Sequence, residues 1–294
     1  MRKIFGLGEI VYDIILKNFR PLSARPGGSV LNALVSLGRK GKDVFMVGEI
    51  GNDITGRAIL EFLNENRVGH EHIVKTATKS NIALAFLDDK NDASYEFYKS
   101  DSVEPFNFSV PLFSKSDILL FGSSLSVSSE ARPIVSKILT RAKDAGTLIY
   151  YDPNFRSEHS KSKKLVDIVE ENLLMADITR GSFEDFFNIF NLTDPDKIFE
   201  KVAPLCSNLI LTDSSKAVFA FVNGHRIRID VPQINTLSTV GAGDSFNAGV
   251  INKLVEEEVF DLKDLTQNLI TSALETGVTF SQAVCKTLDN YIGI

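Results

Sequence analysis

Five short apolar runs, each closed by a glycine or an aspartate, govern what this chain can fold into. They are KIFGLG (Lys3–Gly8), DVFMVG (Asp43–Gly48), DILLFG (Asp117–Gly122), TLIYYD (Thr147–Asp152) and NLILTD (Asn208–Asp213). Each is brief, bounded by turn residues, and reads as a buried strand. Stretches of helical periodicity separate them. In ITGRAILEFLNEN, Ile54, Ala58, Ile59, Phe62 and Leu63 fall on one helical face. SEARPIVSKILTRAKDAG places Pro133 near a helix start and Gly146 just past its end. Strand alternating with helix predicts right-handed crossovers and a mainly parallel sheet covered on both faces. Ligands of such sheets sit beyond the carboxyl ends of the strands, where Gly8, Gly48, Gly122, Asp152 and Asp213 lie. Ordinary turn chemistry explains any one of these taken singly.

One segment breaks the alternation. NIALAFLDDKNDASYEFYKS (Asn81–Ser100) reads as strand, acidic turn, strand, with Tyr95 and Phe97 on one face. A hairpin inserted in such a core serves as a lid or a dimer contact. A second hairpin, Ala217–Asp230, turns at Asn223-Gly224. There is no repeat, linker or low-complexity tract, so the 294 residues are expected to form a single domain.

The net charge of −6 gives no broad attraction to nucleic acid or anionic membranes. No apolar run is long enough to cross a bilayer. The start MRKIFGLGEI enters a strand directly, without a signal-peptide core, which is the pattern of a cytoplasmic enzyme. Cys206 and Cys285 are the two cysteines and lack metal or redox spacing. The pair in GHEH, His70 and His72, is too small a donor set for zinc.

STVGAGDSFNAG (Ser238–Gly249) is the segment richest in chemistry. Phe246, Val250, Ile251 and Leu254 follow at helical spacing and belong to the core. Ahead of them, Gly241, Ala242 and Gly243 let the backbone approach a ligand closely. First-turn amides have no intrahelical acceptor and sit at the positive end of the helix dipole, so they can hold an anion. Asp244 in that turn either complements the dipole or acts as a general base beside the anion. The loop is not a Walker A motif, and GLGEIV near the N-terminus lacks the third glycine of a dinucleotide fingerprint.

This segment resembles the C-terminal signature of the PfkB, or ribokinase-like, carbohydrate kinases. PGGSVLNALVSLGRKGKDVFMVGEIGNDITG (Pro26–Gly56) resembles the N-terminal signature, with Gly27, Gly28 and Asn32, then Gly48, Gly51, Asp53 and Gly56. DPNFR (Asp152–Arg156) resembles a third family element, and the set occurs in family order along nearly the whole chain. The resemblance implies an α/β fold, a central mostly parallel β-sheet between helices with a small β-sheet lid. Lid strands are expected at roughly 9–20 and 81–100. It implies transfer of the ATP γ-phosphate to a sugar hydroxyl with Mg2+. Asp244 matches the catalytic base, and Gly241, Ala242 and Gly243 the anion hole. Asp13, Gly27, Gly28 and Asn32 match sugar-binding positions. Arg156 is placed at the sugar or phosphate and Asn154 at the nucleotide, as are Thr212, Ser214 and Thr239. Ser182 and Asp185 match the magnesium-organising element, usually acting through water, with Glu184 as the alternative carboxylate.

Three positions depart from the pattern. Ser238 replaces an aspartate that helps bind a monovalent cation, which weakens the case for potassium activation. The magnesium element is Ser-x-x-Asp. The nucleotide loop TDSSKA has Ser214 and Ala217 in glycine places. GEIVYD resembles fructokinases and 2-keto-3-deoxygluconate kinases, and the hairpin resembles the fructokinase lid region, which makes fructose, phosphorylated on its primary 6-hydroxyl, the expected substrate. The alternatives are a 2-keto-3-deoxygluconate kinase, a nucleoside kinase, and a catalytically silent sugar-binding relative. The aromatic hairpin implies a homodimer through the lid.

Overall fold

The computed structural model describes residues 2–88, 93–100, 106–155 and 162–293. The five apolar runs become strands β1 (Lys3–Leu7), β4 (Asp43–Gly51), β8 (Ile118–Gly122), β9 (Leu148–Asp152) and β11 (Leu209–Asp213). They form one nine-stranded sheet with β5 (Val68–Thr76), β10 (Ile178–Ser182), β12 (Ala217–Val222) and β13 (His225–Asp230), in the order β13-β12-β11-β10-β9-β8-β1-β4-β5. The seven strands from β11 to β5 are parallel, and the hairpin β12–β13 closes one edge antiparallel. The parallel strands therefore end together on one side of the sheet.

The strands are apolar throughout because they are buried on both faces. Ile118, Leu120, Leu148 and Tyr150 enter one core cluster, and the alternate residues Leu119, Phe121, Ile149 and Tyr151 the other. The first core is covered by α1 (Ser29–Arg39), α8 (Ala242–Glu256) and α9 (Gln267–Cys285). The second is covered by α4 (Arg132–Asp144), α5 (Lys163–Met175), α6 (Phe183–Phe190) and α7 (Pro195–Val202). The short α3 (Ser123–Val127) follows β8 directly, and α2 (Ile54–Glu65) connects β4 to β5. No described helix is long and apolar enough to cross a membrane.

Two local expectations change. Ile54 leaves the predicted apolar face of α2: it is 76% exposed, while Ile59 and Leu63 are fully buried. It follows the Asp53 N-cap, whose carboxylate accepts from Gly56 N, so it stands at the helix start, ahead of the packed turns. Strands β5 and β10 are additions to the sequence reading. β5 is an edge strand carrying the GHEH residues. His70 bonds Asn64 Oδ1 at 3.0 Å and His72 Nδ1 meets Ser109 Oγ at 3.2 Å.

A second sheet has four strands in the order β3-β2-β6-β7: β3 (Arg20–Gly27), β2 (Val11–Lys17), β6 (Asn81–Leu87) and β7 (Ala93–Tyr98). The hairpin predicted at Asn81–Ser100 supplies β6 and β7, and the acidic turn at 89–92 lies outside the described residues. β3 is the strand that sequence reading missed. β2 and β6 pair in parallel, with Asp13 opposite Ala83 and Ile15 opposite Ala85. Ile15, Ala85 and Leu87 pack with Val240 and Tyr95, which brings this sheet against the loop before α8.

Candidate active site

The segment after β1 runs straight into β2, which carries Asp13, and β3 runs through Gly27 and Gly28 into α1, which carries Asn32. Both paths end beside the N-terminus of α8. Asn32 Nδ2 donates to Asp244 Oδ2 at 2.9 Å, so a residue expected to hold substrate is bonded to the expected base. Gly27 leaves the space that the Asp13 carboxylate fills: a Cβ there would lie 1.9 Å from Asp13 Oδ2. Gly28 caps the start of α1.

Asp13 is buried, and its carboxyl is pushed up to about 7. Desolvation is the main cause, the nearby Asp244 and Glu9 add to it, and Arg25 opposes it. Arg25 sits directly across from Asp13 in the β2–β3 pairing. On the other side, Ala83 separates Asp13 from Phe97, which is 41% exposed and stacks on Tyr95 with ring centroids 5.9 Å apart. Directly opposed residues share a face, so this face of the small sheet presents a carboxylate flanked by a guanidinium and an aromatic pair.

Gly241 starts α8 in the left-handed region at φ 78°. A side chain there would be strained and would strike the Asn290 carbonyl oxygen, 2.2 Å from the Cβ position. Ala242 turns its N–H back to Thr239 O at 3.2 Å, so an incoming anion competes for that donor. Gly243 packs over a buried guanidinium, with Arg180 Nη1 3.0 Å from where a Cβ would be. Thr239 is exposed just before this turn.

Arg180 was not among the expected residues. It lies within β10 and bonds Asp152 Oδ2 through Nη1 at 3.0 Å and Thr212 Oγ1 through Nη2 at 2.7 Å. Register explains this: Thr179 pairs with Tyr151 and Ser182 with Thr212, which aligns Arg180 with both strand ends. Asn247 on α8 donates to the same Asp152 oxygen and accepts from Tyr150 OH. Burial alone would lower the Arg180 pKa, but Asp152 and Asp185 outweigh it and raise it. A fixed positive charge therefore stands directly beneath the α8 N-terminus. Thr212, expected at the nucleotide, is one of its anchors.

Asn154 lies just past β9, at φ 40°, with its N–H on Asp152 Oδ1 at 3.1 Å. Arg156 lies outside the described residues. Ser214 adopts φ 45° in the exposed turn after β11, a left-handed conformation that glycine accepts without strain. Ser182 and Asp185 form a reciprocal capping box on α6. Asp185 Oδ2 takes the Ser182 N–H and hydroxyl at 2.7 and 2.6 Å, and its Oδ1 takes the Phe155 N–H at 2.6 Å. Desolvation first, and Asp152 second, raise its carboxyl pKa. With both oxygens so engaged, this carboxylate suits contact with a hydrated ion rather than direct ligation. Glu184 is exposed on the same helix, and among the described residues no group of three or more His, Cys, Asp or Glu is arranged to hold a metal ion by itself.

The arrangement can hold a polyol at Asp13, an anion at the α8 N-terminus and a proton at Asp244. Comparison with known proteins identifies the family. The family model "pfkB family carbohydrate kinase" matches residues 1–289. A fructokinase of Vibrio alginolyticus is 26% identical over 257 residues, covering 85% of this chain and 83% of its own. A fructokinase double mutant from Vibrio cholerae O395, solved with fructose, ADP and a potassium ion, superposes with a TM-score of 0.87 at 20% identity, covering 99% of this chain and 94% of that one. Aminoimidazole riboside kinase from Salmonella enterica, solved with its riboside and an ATP analogue, superposes with a TM-score of 0.84 at 17% identity, covering 98% and 95%. At these identities the solved structures establish the fold.

Proposed function

Because the chain belongs to the pfkB family of carbohydrate kinases, we propose that it transfers the γ-phosphate of ATP to the primary 6-hydroxyl of fructose. The observation that carries this reading is the Asn32–Asp244 bond, which orients a carboxylate in the first turn of α8, beside the amides that this reading gives to the anion. In the reaction the sugar oxygen attacks the γ-phosphorus, Asp244 takes the hydroxyl proton, and the bond from phosphorus to the ADP oxygen breaks. Asp13 accepts hydrogen bonds from other sugar hydroxyls, and Phe97 offers an apolar face to the ring carbons. The first-turn amides of α8, backed by Arg180, hold the charge that builds on the phosphoryl oxygens. Magnesium, when bound with the nucleotide, neutralises phosphate charge, and Asp185 and Glu184 would hold its water shell. This reading assigns Asn154, Ser182, Thr212, Ser214 and Thr239 to the nucleotide, and Arg156, outside the described residues, to the sugar or phosphate.

Fructose is favoured by the fructokinase relative. The stacked Tyr95–Phe97 pair supports a second reading, a nucleoside substrate whose base lies on the rings. ADP release with MgATP across fructose, 2-keto-3-deoxygluconate, ribose and adenosine separates these. We expect kcat/KM to be highest for fructose. Turnover only on adenosine selects the nucleoside reading, and binding of a sugar without turnover on any of them selects a silent relative.

Asp13 sets a pH dependence. The group is protonated below about 7 and then loses acceptor capacity for sugar hydroxyls. We expect kcat/KM for the sugar to fall tenfold per pH unit below that value, with a flat profile above it. A plateau extending unbroken to pH 5 would refute the assignment of Asp13.

At Ser238, the hydroxyl accepts the Val240 N–H at 3.2 Å and the residue is buried. No carboxylate stands there to draw a monovalent cation. Activity in potassium should therefore exceed activity in tetramethylammonium by less than about twofold, a difference under about 0.5 kcal/mol in barrier. The reading also includes a homodimer through the small sheet, whose Phe19, Leu22 and Tyr98 are 85%, 49% and 54% exposed. Sedimentation at a monomer mass would remove that element.

A further inference from the structure

The segment that follows α9 runs back under the small sheet. Ile292 N–H bonds Ser36 Oγ at 3.3 Å, Arg39 Nη1 donates to Ile292 O at 2.7 Å, and the Arg39 guanidinium lies 4.6 Å over the Tyr291 ring. Asp289 forms an ion pair with Arg25. Between these anchors sits Asn290, fully buried and one residue beyond the span matched by the family model. Its Nδ2 donates to Asp13 Oδ2 at 3.3 Å, its backbone oxygen abuts Gly241, and its Oδ1 is buried with no hydrogen-bond partner among the described residues. It is thus the residue that touches both ends of the site, the carboxylate for the sugar and the turn for the phosphate.

We propose that Asn290 is a positioning residue for phosphoryl transfer: its amide N–H holds the Asp13 carboxylate ionised and oriented, while its carbonyl seats Gly241 at the start of α8. This rests on the reading of Asp13 as the sugar-holding group. The physical argument is one of compensation. Asp13 is desolvated and faces two like charges, Asp244 from α8 and Glu9 from the turn after β1. Glu9 is itself paired with Lys99 at 2.8 Å. Against them stand Arg25 on β3 and the Asn290 amide. A donor bonded to the charged form of a buried carboxyl favours that form. The Asn290 Oδ1 is buried with no protein partner among the described residues, an unusual place for a polar side chain, because a buried acceptor is ordinarily paired. A purely structural filler would serve better as an apolar residue of the same volume.

The test is direct titration of the Asp13 carboxyl by carbon-13 NMR in the wild-type protein, Asn290→Ala and Asn290→Asp. Asn290→Ala removes the donor and keeps the backbone oxygen on Gly241. Asn290→Asp is isosteric and replaces the donor with a second acid, so it tests the same contact if the alanine variant fails to fold. We expect the Asp13 midpoint to rise by about one pH unit in the first, a tenfold change in proton affinity, and further in the second. The acid limb of kcat/KM should move with it, and kcat at high pH should change by less than about threefold. Fructose KM at pH 7 should rise about fivefold in Asn290→Ala, the fall in the ionised fraction of Asp13 there. An unmoved Asp13 midpoint in both variants, with only a lower melting temperature, overturns the proposal and leaves Asn290 a core residue. If the wild-type protein turns over none of the four sugar substrates, the functional reading fails, while the NMR midpoint still decides whether Asn290 controls Asp13.

Discussion

Asp244→Asn should lower kcat by about 10³-fold, or about 4 kcal/mol of barrier, while sugar KM changes by less than threefold. The substitution keeps the shape of the side chain and its hydrogen bond with Asn32, which currently joins Asn32 Nδ2 to Asp244 Oδ2. What it removes is the place for the hydroxyl proton. The variant also lifts a negative charge from the neighbourhood of Asp13, whose carboxyl is raised partly by Asp244. The Asp13 pKa should therefore fall, and residual activity should hold to lower pH than in the wild type. Steady-state kinetics from pH 5 to 9 reads both effects. A kcat within threefold of the wild type would sink the assignment of the base.

Arg180→Met should destabilise the fold more than any surface change. It leaves the Asp152 carboxylate buried without its ion pair, and removes the hydrogen bond that holds Thr212. Breaking a buried pair from one side costs about 3–5 kcal/mol. At about 2 °C per kcal/mol for a chain of this size, the melting temperature should drop by about 6–10 °C. Adding Asp152→Asn to that variant should restore part of the loss, since the uncompensated charge is gone. Thermal denaturation of the single and double variants measures this. A double variant less stable than the single one would mean that Asp152 is held by Asn247 and the Asn154 amide alone.

The central sheet was legible because strands buried on both faces declare themselves as unbroken apolar runs. β10 escaped because its sequence, ITRGS, spends a position on arginine and another on glycine. β3 escaped for a related reason: RPLSARPG has prolines and half of its residues exposed, as suits an edge strand. The site divides in the same way. Asp13, Gly27, Asn32 and the Gly241–Asp244 turn fall in short motifs, and the structure brings them together. Asp152, Arg180, Asn247 and Asn290 act through pairings between distant segments. Asn247 is 95 residues from Asp152, and Asn290 is 277 from Asp13. No local pattern encodes such a contact. The one available hint was a charged residue, Arg180, preceded by Ile178 and Thr179 between two helices. Asn32 shows a subtler limit, since its motif marked it for the site while its bond to Asp244 was visible only in three dimensions.

The small sheet enters the chain at two separate points, between β1 and α1 and between β5 and β8, and the two insertions meet along the parallel β2–β6 seam. Substrate preference is therefore not a portable cassette. Grafting the 81–100 hairpin alone from a relative with another sugar would set foreign side chains against the native register of Val11 to Lys17. A one-residue slip there would turn Asp13 off the face proposed to hold the sugar. Recombination between such kinases should yield functional chimaeras only when both insertions come from the same parent.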